Sequence, residues 1–104
     1  MIRHYKARAS QTLDTILQLH QDGVTKISII LRHSERLFTE DPNLEPFMPL
    51  TPAGRDLAFN FGKSLPATLT PVCFSSYIGR CIETAYLIDK GFTNQHGVQT
   101  GHPQ

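Results

Sequence analysis

The chain has 104 residues, a formal net charge of +1 and 39% apolar residues, which suits one small domain. It has neither a basic run typical of binding to nucleic acid or anionic lipid nor a stretch near the roughly 20 apolar residues of a membrane span. Its basic N-terminus lacks the apolar core of a signal peptide, so the sequence predicts a cytoplasmic protein without nucleic-acid or membrane partners.

Helices and strands alternate along the predicted domain, which covers residues 10–92. In chain order the predicted elements are a helix at 10–22, a strand at 26–32, a proline-rich loop at 34–49, a helix at 51–64, a strand at 72–75 and a helix at 78–89. This order predicts an α/β fold with helices packed on a mainly parallel sheet. Residues 1–9 are predicted to form an N-terminal arm and residues 93–104 a flexible tail.

Local signals set the predicted ends of these helices. Thr51 is placed as the N-cap of the second helix, with Pro52 at its first position. Gly23 and Gly91 are predicted to end the first and third helices, because glycine is the usual residue after a helix C-terminus.

The first predicted strand ends in a histidine between two arginines. Residues 27–36 read ISIILRHSER, so that Arg32, His33 and Arg36 follow an apolar run. Ligands of open α/β sheets bind beyond the carboxyl ends of the strands, and arginine binds phosphate oxygens in a bidentate manner. Since imidazole can attack phosphorus and carry it covalently, the run predicts a phosphate site with His33 as the nucleophile, although isolated Arg-His pairs also occur at solvated strand ends.

A third arginine lies at the second predicted strand-to-helix junction. Residues 72–85 read VCFSSYIGRCIETA, in which Ser75 and Ser76 can cap the helix and Arg80 falls in its first turns. Backbone N–H groups at a helix N-terminus favour an anion. We therefore expect Arg80 to complete the same phosphate site.

Together these segments resemble the histidine phosphatase superfamily, the phosphoglycerate-mutase-like enzymes. The Arg-His-Gly strand end of that family appears here as Arg32-His33-Ser34, and its Ser-Ser helix start appears as residues 75–85. Between them, residues 50–58 (LTPAGRDLA) look like the family's Leu-Thr-x-x-Gly-x-x-x-Ala helix. The resemblance spans roughly residues 26–90 and implies part of a three-layer sandwich of the phosphoglycerate mutase type.

The resemblance assigns roles to individual residues. It implies that His33 is phosphorylated and that Arg32, Arg36 and Arg80 bind the phosphate. Because the arginines supply the charge stabilisation, no metal and no cofactor are expected. The implied substrate is a phosphorylated small molecule or a phosphoprotein. Ser34 stands where glycine is usual, which alters how closely the backbone approaches the phosphate.

Two further groups of the family have no clear position in this sequence: a second histidine late in the chain, and an acid that protonates the leaving oxygen. Glu35, Asp41 and Glu45 lie on the loop after the nucleophile, but nothing in the sequence singles one out. Glu83 is expected to pair with Arg80 at i,i+3. The chain is therefore expected to be the N-terminal part of such a domain, whose unfinished sheet edge would favour homo-oligomers.

Three functions stay open on this basis: a phosphomonoester hydrolase, a phosphomutase, and a catalytically incomplete module that binds a phosphate ligand or a partner. A cysteine phosphatase does not fit, because the loop from Cys73 to Arg80 is one residue too long and the thiol is predicted to be buried in a strand. A zinc site is not predicted either, since Cys73 and Cys81 form no close-spaced ligand pair.

Overall fold

A computed structural model describes residues 2–97, and these residues form a helical protein. Its elements are α1 (Ile2–Gln21), a 3-10 turn (Glu45–Phe47), α2 (Pro52–Lys63) and α3 (Gly79–His96). Helices α2 and α3 pack along each other, and α1 lies against α2. None of the helices within 2–97 has both the length and the hydropathy needed to cross a membrane.

The predicted α/β fold is wrong. No strand forms within residues 2–97, where the one β feature is an isolated antiparallel bridge between Arg36 and Leu50. The runs at 26–32 and 72–75 do not pair with each other, and their large apolar side chains lie in solvent: Ile30 is fully exposed and Phe74 is 92% exposed. An apolar run forms a strand only where a neighbouring segment pairs with its backbone hydrogen-bonding groups. Neither of these runs has such a neighbour within residues 2–97.

The core is a helix–helix contact instead of a sheet. Six buried side chains form it, drawn from all three helices and the residues just after α2: Ile16, Ala58, Phe61, Leu65, Ile88 and Phe92. Ala58, Phe61 and Leu65 recur at the spacing of one helix face, so α2 contributes an apolar stripe to this core. Leu50 is also almost fully buried, at the point where the loop before α2 meets the helices.

The start of α2 follows the sequence prediction closely. The Thr51 side chain accepts a hydrogen bond from the Gly54 N–H over 2.9 Å, and Pro52 occupies the first turn, where a missing N–H costs nothing. The helix ends at Lys63, next to the predicted end at about residue 64. Short-range signals therefore determine this element.

The other two helices are longer than predicted. Helix α1 begins at Ile2, within the predicted arm, and ends two residues before Gly23. Helix α3 continues through Gly91 to His96, into the predicted tail, the rest of which (98–104) lies outside the described residues. A Cβ atom on Gly91 would overlap the Phe59 carbonyl oxygen, so this glycine allows α2 and α3 to approach and does not end the helix.

Candidate functional site

Ser34 fastens the segment that carries His33 between α2 and α3. Its N–H donates to Thr84 Oγ1 over 3.0 Å, and its hydroxyl donates to the Gly54 carbonyl over 2.7 Å. The Thr84 hydroxyl in turn donates to the Arg80 carbonyl over 2.8 Å. The serine that replaces the expected glycine is buried and hydrogen-bonded to both helices, which fixes the position of the preceding histidine.

The His33 ring has a defined tautomer. Nδ1 lies 2.7 Å from the Ser34 carbonyl oxygen, which can only accept a hydrogen bond. In the neutral imidazole the proton is therefore on Nδ1, and Nε2 carries the lone pair. A histidine held in this way presents Nε2 as a nucleophile or a base.

The surroundings of His33 favour that neutral form. Partial burial lowers the pKa of His33 below its usual value of about 6.5, the hydrogen bond to Ser34 opposes this, and the positive charges of Arg80, Arg32 and Arg36 lower it further. All three predicted arginines are therefore within electrostatic reach of the predicted nucleophile.

Arg80 is the buried cation of the site, with 8% of its surface exposed. Its Nη2 lies 2.6 Å from Glu45 Oε1, and its Nη1 donates to the Glu45 carbonyl over 2.8 Å. Its Nε is buried and has no hydrogen-bond partner among the described residues. A buried cationic donor without a partner is costly, so the Arg80 guanidinium is held mainly by its two contacts with Glu45.

Arg36 and Arg32 differ in burial and in the number of their polar contacts. Arg36 Nη2 lies 3.6 Å from the same Glu45 oxygen, and Arg36 Nη1 donates to the Leu37 carbonyl over 3.1 Å. Arg32 is exposed and forms no hydrogen bond or ion pair with another residue in the part of the chain that the structure describes. The three predicted arginines thus comprise one buried, one half-buried and one exposed cation.

Glu45 is the site residue that the sequence did not single out. Its carboxylate joins Arg36 and Arg80, which are separated from it by 9 and 35 positions and share no helix or strand with it. No periodicity or motif relates these positions. Only the folding of the 34–49 loop onto α3 brings them together.

The other acidic candidates have different partners. The Thr51 hydroxyl donates to Glu35 Oε1 over 2.7 Å. Glu83 accepts a hydrogen bond from Arg55 and another, 3.4 Å long, from the Leu50 N–H. The prediction that Glu83 pairs with Arg80 is therefore wrong, because the Arg80 side chain binds Glu45 in the 3-10 turn instead.

The predicted serine cap of the third helix is also wrong. Ile78 occupies the N-cap position of α3, with no side-chain hydrogen bond to the helix. Ser75 and Ser76 are exposed on the segment before it. The third helix therefore contributes the Arg80 side chain to the site, and not a serine-capped N-terminus.

Two open clefts meet at His33. Both are lined by Leu31, Arg32 and His33, and their volumes are about 830 and 810 Å³. The second cleft is also lined by His4 and Arg8 of α1, which makes it basic. Arg80 lines neither cleft.

Other chemistries find little support among the described residues. No three histidine, cysteine or acidic side chains within 2–97 are grouped as metal ligands would be. Both cysteines are free, but Cys73 is exposed and not packed in a strand as predicted. Partial burial of the sulfur and the Asp89 carboxylate raise the pKa of the Cys73 thiol, which disfavours the reactive thiolate.

Neither models of known protein families, nor curated proteins, nor solved structures show a significant match to this chain. Arguments about its function therefore depend on its own residues and their geometry.

Proposed function

We propose that this chain hydrolyses phosphomonoesters through a phosphohistidine on His33. The observation that carries the proposal is the hydrogen bond from His33 Nδ1–H to the Ser34 carbonyl, which leaves Nε2 unprotonated beside three arginines. Nucleophile and cations of this kind are what phosphoryl transfer requires. The motif resemblance of residues 32–34, 50–58 and 75–85 to histidine phosphatases supports the same assignment.

The reaction has two balanced steps. Nε2 attacks phosphorus in line, the bond from phosphorus to the ester oxygen breaks, and the departing alkoxide takes a proton from water or an acid. Water then attacks the phosphohistidine, gives up a proton and releases inorganic phosphate, which restores the lone pair on Nε2. The Ser34 carbonyl stabilises the positive charge that develops on the ring while phosphorus is attached.

The arginines contribute unequally to this reaction. Arg80 is buried and fixed, so it offers a preorganised charge for the phosphoryl oxygens. Arg36 pairs with Glu45, the same carboxylate that Arg80 binds. Exposed Arg32 lines the second cleft together with His33. We propose that Arg80 and Arg36 bind the transferred group and that Arg32 guides a phosphorylated small molecule or phosphoprotein to it.

A test compares the purified chain with its His33→Ala and His33→Gln variants on p-nitrophenyl phosphate, with samples quenched in alkaline detergent and phosphohistidine identified by its loss on later acid treatment. We expect turnover and phosphohistidine in the native chain and only background in both variants. His20→Gln is the matched control, because His20 contacts Thr68 and lies outside the site. Turnover that persists without His33 would refute the proposal.

A second candidate is a module that binds a phosphate ligand without turnover. It is favoured by two of the acidic candidates on the loop after His33, since the Glu35 carboxylate is bound by Thr51 and the Glu45 carboxylate by Arg80. Neither is free to protonate a leaving oxygen in this arrangement. Broadening of the phosphate signal in ³¹P NMR by the native chain, with no hydrolysis of the aryl ester, would support this candidate instead.

A cytoplasmic location belongs to the proposal as well. Both cysteines are free thiols, which is the usual state in a reducing compartment.

A further inference from the structure

The Glu45 carboxylate pairs with two of the arginines to which the proposed function assigns the phosphate. One oxygen, Oε1, lies 2.6 Å from Arg80 Nη2 and 3.6 Å from Arg36 Nη2. Phosphate oxygens are bound by guanidinium groups with the same geometry as carboxylate oxygens. A ligand phosphate between these two arginines would therefore meet the carboxylate first.

The burial of the two side chains shows which of them, Arg80 or Glu45, can move out of the ion pair. The Arg80 side chain is 8% exposed, whereas the Glu45 side chain is 37% exposed. A carboxylate that leaves the arginines can be solvated at once, but Arg80 cannot reach water without disturbing the core. Exchange of the anion therefore proceeds by movement of the glutamate.

The backbone of the turn does not depend on that carboxylate. The Glu45 N–H donates to the Asp41 carbonyl over 3.1 Å, and the Glu45 carbonyl accepts from the Met48 N–H and from Arg80 Nη1. These bonds persist when the side chain rotates about its own bonds, which surface side chains do in nanoseconds or less. The carboxylate can withdraw while the turn stays on α3.

We propose that Glu45 is an internal competitor of the ligand phosphate, which sets the affinity of the Arg36–Arg80 pair for anions. The pair can bind an external anion only while the carboxylate is withdrawn, so the apparent affinity is reduced by the fraction of molecules in which it is withdrawn. This inference rests on the proposed function, because it takes Arg36 and Arg80 as the phosphate-binding pair.

The alternative is a purely structural ion pair that holds the 3-10 turn on α3. The two roles differ in their consequences for binding. Loss of a structural pair lowers stability and leaves phosphate affinity unchanged or weaker, whereas loss of a competitor strengthens phosphate binding. The effect on affinity therefore has opposite signs under the two explanations.

The experiment titrates the full chain and three variants with inorganic phosphate at pH 8, and separately with dimethyl phosphate as a monoanion, by isothermal calorimetry. Glu45→Gln removes the charge with little change of shape, and Glu45→Asp shortens the side chain. Glu83→Gln is the matched control, because it removes a carboxylate that pairs with Arg55 outside the site. Thermal unfolding of each variant confirms that it is folded.

We expect Glu45→Gln to bind phosphate about tenfold more tightly than the native chain, the scale of one charge-assisted contact, with a similar gain for dimethyl phosphate, because a competitor lowers the affinity of both anions by the same factor. Glu45→Asp should show a smaller gain, and Glu83→Gln none. Measurable phosphate binding with no gain in folded Glu45→Gln would overturn the competitor role alone. No phosphate binding by any of the four chains would overturn this inference and the proposed phosphate site together.

Discussion

The His33 ring combines two features, a fixed tautomer and a cationic environment. The Ser34 carbonyl fixes the proton on Nδ1, while burial and three arginines disfavour a second proton on Nε2. A nucleophilic histidine needs both, because a protonated ring has no lone pair to attack phosphorus. The lone pair on Nε2 that the proposed reaction requires is therefore retained to a lower pH than in a free imidazole.

The pH dependence of His33 can be tested directly. In NMR titrations of the ring resonances we expect a pKa below 6.5, with the acid limb of kcat/KM at the same pH. Arg32→Gln should move this pKa upwards, because it removes an exposed positive charge beside the ring, and added salt should reduce the difference. Lys63→Gln, at the far end of α2, is the control. A His33 pKa above 6.5 would contradict the assigned environment.

Stability should follow the same titration. Because the pKa of His33 is lower in the folded chain than in the unfolded chain, the unfolded chain binds more protons between the two values. The free energy of unfolding therefore falls as the pH drops below 6.5, and His33→Gln should lose less stability on acidification. Urea unfolding at pH 7.5 and 5.5 measures this, and an equal loss in both proteins would contradict it.

At the level of elements, the contact between α2 and α3 stabilises the molecule and positions the site. Ser34 binds Gly54 of α2 and Thr84 of α3, so the distance between these helices fixes the place of His33. Gly91 is the residue that permits the close approach, since a side chain there would meet the Phe59 carbonyl. Packing of the helices and geometry of the site are therefore coupled.

Gly91→Ala should separate the two helices and destabilise the fold by about 1–3 kcal/mol, the usual cost of overpacking. Gly79→Ala is the matched control, because nothing lies within 4 Å of its added Cβ atom at the exposed start of the same helix. Alanine there should be neutral or slightly stabilising, since it favours helix more than glycine does. Denaturant midpoints of the two variants decide between these expectations, and equal midpoints would mean that Gly91 does not determine the packing.

Sequence reasoning worked where local chemistry determines an element and failed where the determinant was distant. Thr51 and Pro52 correctly predicted the start of α2. The local rule for glycine wrongly predicts a helix end at Gly91, because that rule carries no information about Phe59 on another helix. The sequence does not distinguish Glu45 from two other acidic candidates, because its contact with Arg80 forms only when the 34–49 loop folds onto α3.

At the scale of the whole molecule, the predicted sheet failed for the same reason. The run at 26–32 has the residues of a buried strand, yet strands form only when distant segments pair, and no segment within 2–97 pairs with it. The arginines and the histidine nevertheless come together, because Ser34 holds the end of the run on the helices. The predicted residues of the site can thus gather on a scaffold that was predicted wrongly.

Two isoleucines distinguish the observed helical core from the predicted sheet core. Ile30 is fully exposed in the extended run, whereas Ile88 is 8% exposed between α2 and α3. Ile88→Ala should therefore destabilise the chain by about 2–5 kcal/mol, while Ile30→Ala should change stability by about 0.5 kcal/mol at most. Urea unfolding at several protein concentrations measures both. A comparable loss for Ile30→Ala that grows with protein concentration would show that the run is buried against a second copy of the chain, whereas the same loss at every concentration would show that it is buried within the monomer.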